Sequence, residues 1–219
     1  MNELDYLTLK IEDTANNPTP RFSMCLALDT SDSMAGEPIN ELNRGVALFV
    51  DAIRHDLRAV LATEICVVTF HSTAEVKLEF ASIKRQIVTS LCAAGCTSMG
   101  AGVNLALDRL ESNVAFYMAN NLQHYKPWLV IMSDGQPTDS IDQAVQRARR
   151  LESENRLAIL MFGIGAGADM NALSAFSAKH KPVKLDHIKL AKLFSQLSRS
   201  VTIVANSTPG DAVTLTMTV

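Results

Sequence analysis

The sequence lacks a basic charge excess, a long apolar run and an export signal, and each absence excludes a class of protein. Its 219 residues carry 20 Lys and Arg against 23 Asp and Glu, whereas nucleic-acid-binding domains are strongly basic. No apolar run approaches the roughly 18 residues of a membrane-spanning helix. No basic segment followed by an apolar one marks the amino terminus. We therefore expect a cytoplasmic protein that binds neither nucleic acid nor membrane.

The chain also has few cysteines, and its four do not form a recognisable disulfide or zinc framework. Cys25 and Cys66 lie in apolar runs, where a buried thiol behaves as a small apolar side chain. Cys92 and Cys96 are spaced as a ligand pair, but no second pair and no nearby histidine complete a zinc site. We expect reduced, free thiols, as is usual in the cytoplasm.

The order of apolar patterns predicts the fold class. Hydrophobic residues make up 47% of the chain, which is typical of one soluble globular domain. Strands are predicted at 22–29, 64–70, 74–80, 128–133, 157–164 and 183–185. Helices are predicted at 38–55, 82–91, 100–120, 141–151 and 190–204, with a turn at 165–169 that leads into a short helix through residue 179. The alternation at 74–80 favours an antiparallel edge strand. This order predicts an α/β, doubly wound, mostly parallel sheet with helices on both faces.

Two extensions, residues 1–20 and 205–219, flank a core domain at 21–204. Residues 6–12 and 213–219 each alternate between apolar and polar side chains, which predicts a strand in each extension. We expect these strands to pair with each other, because each has one apolar face and neither is stable alone. The alternative is that the carboxyl-terminal strand adds to the sheet of a partner.

Side chains with oxygen ligands follow three of the predicted segments. Asp29, Ser31 and Ser33 leave the first strand. Thr97 lies on a glycine-containing loop before a helix, and Asp134 directly follows the fourth predicted strand. Ligands of open parallel sheets bind beyond the carboxyl ends of the strands. Two carboxylates and three hydroxyls suit a hard divalent cation, Mg²⁺ first, with Mn²⁺ or Ca²⁺ as alternatives.

Each loop taken alone has a simpler explanation, because Ser and Asp commonly cap helices and form turns. Three loops with complementary ligands favour a metal site over that explanation. Asp139 has both interpretations open, as a helix cap or as a residue that shapes the rim of the site. An aspartyl-phosphatase would need the D-x-D-x-[TV] pattern, and Asp29-Thr30-Ser31 lacks its second carboxylate. We therefore expect no catalytic residues.

These residues resemble the metal-ion-dependent adhesion site (MIDAS) of the von Willebrand factor type A (VWA) domain family: Asp29-x-Ser31-x-Ser33, then Thr97, then Asp134-Gly135. The resemblance spans about residues 21–204 and implies a VWA/Rossmann-like fold. It implies that the three hydroxyls coordinate the ion directly or nearly so, that the two aspartates often act through water, and that a partner's Asp or Glu completes the site. Asp32 departs from the family's usual Gly, adding negative charge at a position where glycine adopts the backbone more easily.

Within that family, two stretches look most like bacterial TerY-type proteins of tellurite-resistance-like gene clusters: residues 26–31 with 36–39, and residues 133–139. This resemblance implies a stress-response setting, with a kinase and a PP2C-type phosphatase as candidate partners. We expect a metal-dependent protein-binding module and not an enzyme. The alternatives are a structural or self-assembling scaffold in which the metal stabilises the fold, and a Mg²⁺-dependent phosphatase-like enzyme.

Overall fold

The structure, a computed structural model, describes residues 3–186 and 189–211 of the chain. Strands and helices alternate along most of that length. The strands are β1 (Phe22–Asp29), β2 (Thr63–Phe70), β3 (Ala74–Ser82), β4 (Trp128–Ser133), β5 (Ala158–Ile164) and β6 (Val183–Leu185). The helices are α1 (Glu3–Asn16), α2 (Glu37–Arg54), α3 (Ala59–Ala62), α4 (Met99–Ala119), α5 (Asp142–Ser153), α6 (Met170–Ala175) and α7 (Leu190–Ala205).

One six-stranded sheet forms the centre of the fold, in the order β3-β2-β1-β4-β5-β6. Neighbouring strands are parallel, except that the edge strand β3 is antiparallel to β2. β1 and β2 are buried at every position, as their continuous apolar sequences require. The predicted fold, a mostly parallel sheet with one antiparallel edge strand, is confirmed. The carboxyl ends of the parallel strands form what we call the upper edge of the sheet.

Helices cover both faces of this sheet, as predicted. On one face α2 packs against α7, where the ring centroids of Phe49 and Phe194 are 5.8 Å apart. On the other face α4 packs against β1 and β2, with α5 beside it. The predicted apolar stripe of α2 is buried: Ile39, Leu42, Val46, Phe49, Val50 and Ile53. None of the described helices is both long enough and apolar enough to cross a bilayer.

The predicted strand at residues 6–12 is wrong, because this segment belongs to helix α1. The hydroxyl of Thr14 donates to the carbonyl of Lys10, 2.8 Å away and four residues earlier. Apolar residues at positions 4, 7 and 11 also have the spacing of a helix. A window of seven residues is therefore too short to distinguish the two-residue repeat of a strand from the 3.6-residue repeat of a helix.

The expected pairing of the two extensions as strands therefore fails on the amino-terminal side. Its other half, the predicted strand at 213–219, lies outside the described residues. The division of the chain at residues 20 and 204 stays a prediction.

A buried polar cluster at the lower edge of the sheet, opposite the upper edge, explains why α1 is held against the domain. The Lys10 ammonium donates to the side-chain oxygen of Asn113 on α4 and lies 3.8 Å from Glu64 Oε2 at the start of β2. Arg21 Nε lies 3.6 Å from the other oxygen of the Glu64 carboxylate. Burial lowers the pKa of Lys10, and the neighbouring Glu64 carboxylate opposes that shift. The contact thus depends on tertiary packing.

Two further predicted helices differ from the structure. The helix predicted at 82–91 is wrong: β3 continues to residue 82, and a turn at 83–85 is followed by irregular chain. There the side chain of Gln86 donates to the carbonyl of Glu79, 2.8 Å away, and holds the segment against β3. The short helix predicted after the turn at 165–169 is α6, but it ends at Ala175 and not at residue 179. Beyond it the chain turns so that Ala178 N–H can donate to Glu152 Oε2, 2.9 Å away.

Candidate metal centre

The first loop of the candidate site begins where β1 ends at the upper edge. Asp29 is fully buried, and its Oδ1 accepts the backbone N–H of Ser31 at 2.9 Å. This bond is an Asx turn, in which a short carboxylate side chain bonds the backbone two residues on. The loop is held on its other side by Asp32 N–H, which donates to the carbonyl of Gly95 at 2.9 Å. The carboxylate and the loop that follows it are therefore fixed by their neighbours.

Hydrogen bonds join this loop to the loop that follows β4. The hydroxyl oxygens of Ser31 and Ser33 are 3.0 Å apart, and Ser33 donates to Asp134 Oδ1 at 2.7 Å. Ser133, the last residue of β4, donates its hydroxyl proton to Asp29 Oδ2. Four of the five residues predicted as ligands, Asp29, Ser31, Ser33 and Asp134, thus lie in one connected group.

Thr97 brings the second loop to the same place. A Cβ atom added to Gly135 would lie 3.4 Å from Thr97 Oγ1 and 3.7 Å from Ser33 Oγ. The hydroxyls of Thr97 and Ser33 therefore both face the space beside Gly135, and a side chain at that position would enter it. The structure brings all five predicted residues together at the upper edge.

Burial makes both carboxylates of this group costly to ionise. Burial raises the pKa of Asp29; hydrogen bonds from Ser133 and Ser31 oppose that shift, and the charge of Asp134 adds to it. Burial also raises the pKa of Asp134, opposed by the hydrogen bond from Ser33. Among the described residues, no Lys, Arg or His forms an ion pair with either carboxylate. A cation between them would supply the missing counter-charge.

The donor atoms also indicate which kind of ion fits. They are carboxylate and hydroxyl oxygens, which hard cations prefer. Within residues 3–186 and 189–211, no group of three or more His, Cys, Asp and Glu side chains is arranged to hold a metal. Cys25 and Cys66 are buried and Cys92 and Cys96 exposed, and all four are free thiols. The site therefore suits an ion that keeps part of its water shell, as Mg²⁺ does.

Three residues near the site differ from what the sequence indicated. Ser133 was not predicted, although a polar residue ending the buried strand β4 was a usable signal. Asp32 does not need the conformational freedom of glycine, because positive φ angles among the described non-glycine residues occur only at Asn121 and Asn155. Its side chain is exposed, so its charge faces solvent. Asp139 does cap a helix, but that helix is α4, which follows Thr97.

Residues 24–201 match the von Willebrand factor type A domain family, and the chain belongs to that family. Domains of this family commonly mediate protein–protein contacts, and their MIDAS motifs bind divalent metals. No curated protein matches the chain in sequence.

Solved structures show the same fold at low sequence identity. A von Willebrand factor type A protein from Catenulispora acidiphila superposes with a TM-score of 0.62 at 15% identity, over 84% of this chain and 43% of that one. Proximal thread matrix protein 1 from the mussel byssus superposes with a TM-score of 0.58 at 16% identity, over 86% and 47%. A second structure of the mussel protein, with a zinc-occupied MIDAS motif, has a TM-score of 0.56 at 15% identity over the same shares. The chain spans less than half the length of these solved chains.

Proposed function

We propose that this chain is a metal-dependent protein-binding module whose ion is held by Asp29, Ser31, Ser33, Thr97 and Asp134. The observation that carries the proposal is the 2.7 Å contact between Ser33 Oγ and Asp134 Oδ1, side chains 101 positions apart. Two loops that far apart in sequence present oxygen ligands to one point, and Thr97 faces it from a third loop. Mg²⁺ is the ion we expect, with Mn²⁺ and Ca²⁺ as alternatives.

The proposed roles of the five residues follow from their burial. Asp29 is fully buried, Asp134 is half-buried and Ser33 is exposed, so the group is closed below and open above. Because the hydroxyls are neutral donors, a bound ion would keep a preference for a further carboxylate oxygen. A partner's Asp or Glu would supply it at the open side, while the two aspartates of this chain act through water.

The arrangement of Asp29 argues against the phosphatase-like alternative. Both of its carboxylate oxygens accept hydrogen bonds, and its side chain has no exposed surface from which to attack a substrate. A nucleophile must reach the reacting atom. We therefore propose a binding function without catalysis.

The proposed biological setting rests on the TerY-like stretches at 26–31, 36–39 and 133–139. From them we propose a cytoplasmic role in a bacterial stress or tellurite-resistance-type system, with a kinase and a PP2C-type phosphatase as candidate partners. Co-purification of these two proteins with the chain, in the presence and absence of chelator, tests this setting separately from the metal site.

Titration calorimetry with Mg²⁺, on the wild type, Ser31→Ala and a control, tests the metal site. We expect one ion per chain, and at least about tenfold weaker binding in Ser31→Ala because a direct ligand is lost. The matched control is Ser153→Ala, because the Ser153 hydroxyl lies on the exposed surface of α5, where it donates to the carbonyl of Arg150 at 2.8 Å. A wild type that binds no divalent ion would contradict the proposal.

Partner binding separates the module from the scaffold alternative. If a captured partner is released by EDTA and by Ser31→Ala, but not by Ser153→Ala, the metal bridges the two proteins. If EDTA and Ser31→Ala leave partner binding unaffected, while sedimentation shows that the chain assembles with itself in a metal-dependent way, the scaffold explanation holds instead.

A further inference from the structure

The loop that follows Asp134 reaches across the upper edge and bonds the start of helix α4. Asp139 Oδ1 accepts the backbone N–H of Gly100 at 3.0 Å, and its Oδ2 accepts that of Ala101 at 2.8 Å. These N–H groups belong to the first turn of α4, which has no intrahelical acceptors for them. A carboxylate also interacts favourably with the positive end of the helix dipole.

The residue that normally caps such a helix does not do so here. Ser98 occupies the N-cap position of α4, but its side chain makes no capping hydrogen bond. Its hydroxyl donates instead to the carbonyl of Ser72, 3.2 Å away. The cap of α4 therefore comes from the loop after Asp134. A helix cap is usually supplied by a residue next to the helix in sequence, but here it joins two loops of the site.

Thr138 makes the same connection one residue earlier and holds Thr97 itself. The N–H of Thr138 donates to the carbonyl of Thr97 at 2.9 Å, and the N–H of Thr97 donates to Thr138 Oγ1 at 3.2 Å. Both backbone polar groups of Thr97 are thus bonded to one residue. This fixes the peptide from which the Thr97 hydroxyl projects toward Ser33 and Gly135.

Gly100 permits the two loops to approach this closely. A Cβ atom at Gly100 would lie 2.2 Å from the carbonyl oxygen of Ser140 and 3.0 Å from Asp139 Oδ2. Contacts this short with backbone cannot be relieved by rotating a side chain, so any other residue would push the loops apart. We call the set formed by Thr97, Gly100, Ala101, Thr138 and Asp139 the cross-loop contact.

We propose that Thr138 and Asp139 are positioning residues of the metal site, which hold Thr97 at the separation from Asp134 that a single ion requires. The inference rests on the proposed function, since it assigns these residues to the same ion. Neither residue coordinates: Asp139 uses both carboxylate oxygens on α4, and Thr138 uses its hydroxyl on the backbone of Thr97. Partners of this kind that orient ligands typically contribute about 10- to 100-fold to metal affinity.

The test compares Thr138→Val, Thr138→Ser and Asp139→Asn with the wild type by Mg²⁺ titration and by unfolding temperature in EDTA. Thr138→Val keeps the shape of the side chain and removes only the acceptor for Thr97 N–H. We expect Thr138→Val and Asp139→Asn to weaken Mg²⁺ binding about tenfold or more, and Thr138→Ser to restore it. If Asp139→Asn fails to fold, Thr138→Val still decides the question. This variant should fold, because it removes only one hydrogen bond and Thr138 is exposed.

Asp56→Ala is the matched control for the loss of a carboxylate that bonds the start of a helix. Asp56 Oδ1 accepts the N–H groups of Arg58 and Ala59 at 3.0 and 2.7 Å and caps α3, which leads into the lower end of β2. We expect Asp56→Ala to lower the unfolding temperature, because both hydrogen bonds are lost, and to leave the Mg²⁺ affinity unchanged.

The outcomes separate the inference from the function on which it rests. If the wild type binds Mg²⁺ and Thr138→Val binds it equally well, the positioning role is wrong and the metal site stands. Equal loss of Mg²⁺ affinity in Asp56→Ala would show that general stability, and not the position of Thr97, controls ion binding, and would also overturn the inference. A wild type that binds no ion would contradict both the inference and the proposed function.

Discussion

At the scale of single residues, the site combines groups that cost free energy in the absence of an ion. Asp29 and Asp134 are held near each other, and burial is the first cause of the raised pKa of each. Hydrogen bonds from Ser133, Ser31 and Ser33 offset part of that cost. Such an arrangement is unfavourable for an empty fold and favourable for one that binds a cation.

The Asp29→Asn variant tests whether the buried carboxylate of Asp29 costs stability when no ion is bound. The amide has the shape of the carboxylate and can still accept the N–H of Ser31. In the metal-free wild type, the stability contributed by a raised folded pKa is complete below the unfolded value of about 3.9, and it is lost as the pH rises through the folded pKa. We therefore expect Asp29→Asn in EDTA to unfold at a higher temperature than the wild type at pH 7, with the difference shrinking toward pH 4.

The same variant should lose the stabilisation by Mg²⁺ that the wild type shows at pH 7. In the wild type this stabilisation should itself weaken as the pH falls through the raised pKa values, because protons then compete with the ion. Thermal unfolding across pH 4–8, with and without Mg²⁺, measures both effects. A metal-free Asp29→Asn protein less stable than the wild type at pH 7 would show that the hydrogen bonds of Asp29 outweigh its burial.

At the scale of elements, tertiary contacts decide how closely helices approach. α2 and α7 cross where Gly45 faces the ring of Phe194, and a Cβ atom at Gly45 would lie 2.3 Å from Phe194 Cδ2. The absence of a side chain there allows the aromatic ring to lie directly against the backbone of α2. The sequence pattern identified the buried stripe of α2 but not this position within it.

Gly45→Ala should lower the free energy of unfolding by about 1–3 kcal/mol, the usual cost of overpacking a core. This loss should exceed the gain of about 0.5–1 kcal/mol that alanine brings within a helix. Asn40→Ala on the exposed face of α2 is the control and should stay within about 0.5 kcal/mol of the wild type. Denaturant unfolding measures both, and a Gly45→Ala protein as stable as the wild type would mean that α2 and α7 pack less closely.

At the scale of the whole molecule, two polar clusters occupy opposite edges of one sheet. The candidate metal centre lies at the upper edge and is open to solvent at Ser33. The cluster of Lys10, Arg21, Glu64 and Asn113 lies at the lower edge and is buried. α4 runs between them, since it begins just after Thr97 and carries Asn113 near its other end. We propose that the first cluster binds an ion, whereas the second holds α1 against the domain.

Lys10→Met should therefore lower stability without changing the site. It leaves Glu64 with Arg21 as its remaining cation and removes the donor to Asn113, at an expected cost of about 1–3 kcal/mol. Lys192→Met, on the exposed side of α7, is the control and should change little. Unfolding in EDTA and Mg²⁺ titration measure the two properties. A changed Mg²⁺ affinity in Lys10→Met would show that α4 transmits changes from the lower edge to the site.

Much of the fold and of the site was predictable because the information is local. Continuous apolar runs identified β1, β2 and β4, since only strands buried on both faces need them. Asp29, Ser31 and Ser33 lie on one short loop, so their spacing alone suggested a common role. Their meeting with Asp134 followed from the parallel order, which places strand ends along one edge.

The sequence by itself determined the alternation of strands and helices and the placement of carboxylate and hydroxyl side chains near the strand ends, because periodicity and residue type express both within a few positions. Only the tertiary structure decided that residues 6–12 are helical, where the local pattern fits two periods and the bond between Lys10 and Asn113 joins residues 103 positions apart. Only it showed that Asp139 caps α4 while Thr138 holds Thr97. A hydrogen bond between distant segments depends on how the chain packs, and no local pattern encodes it.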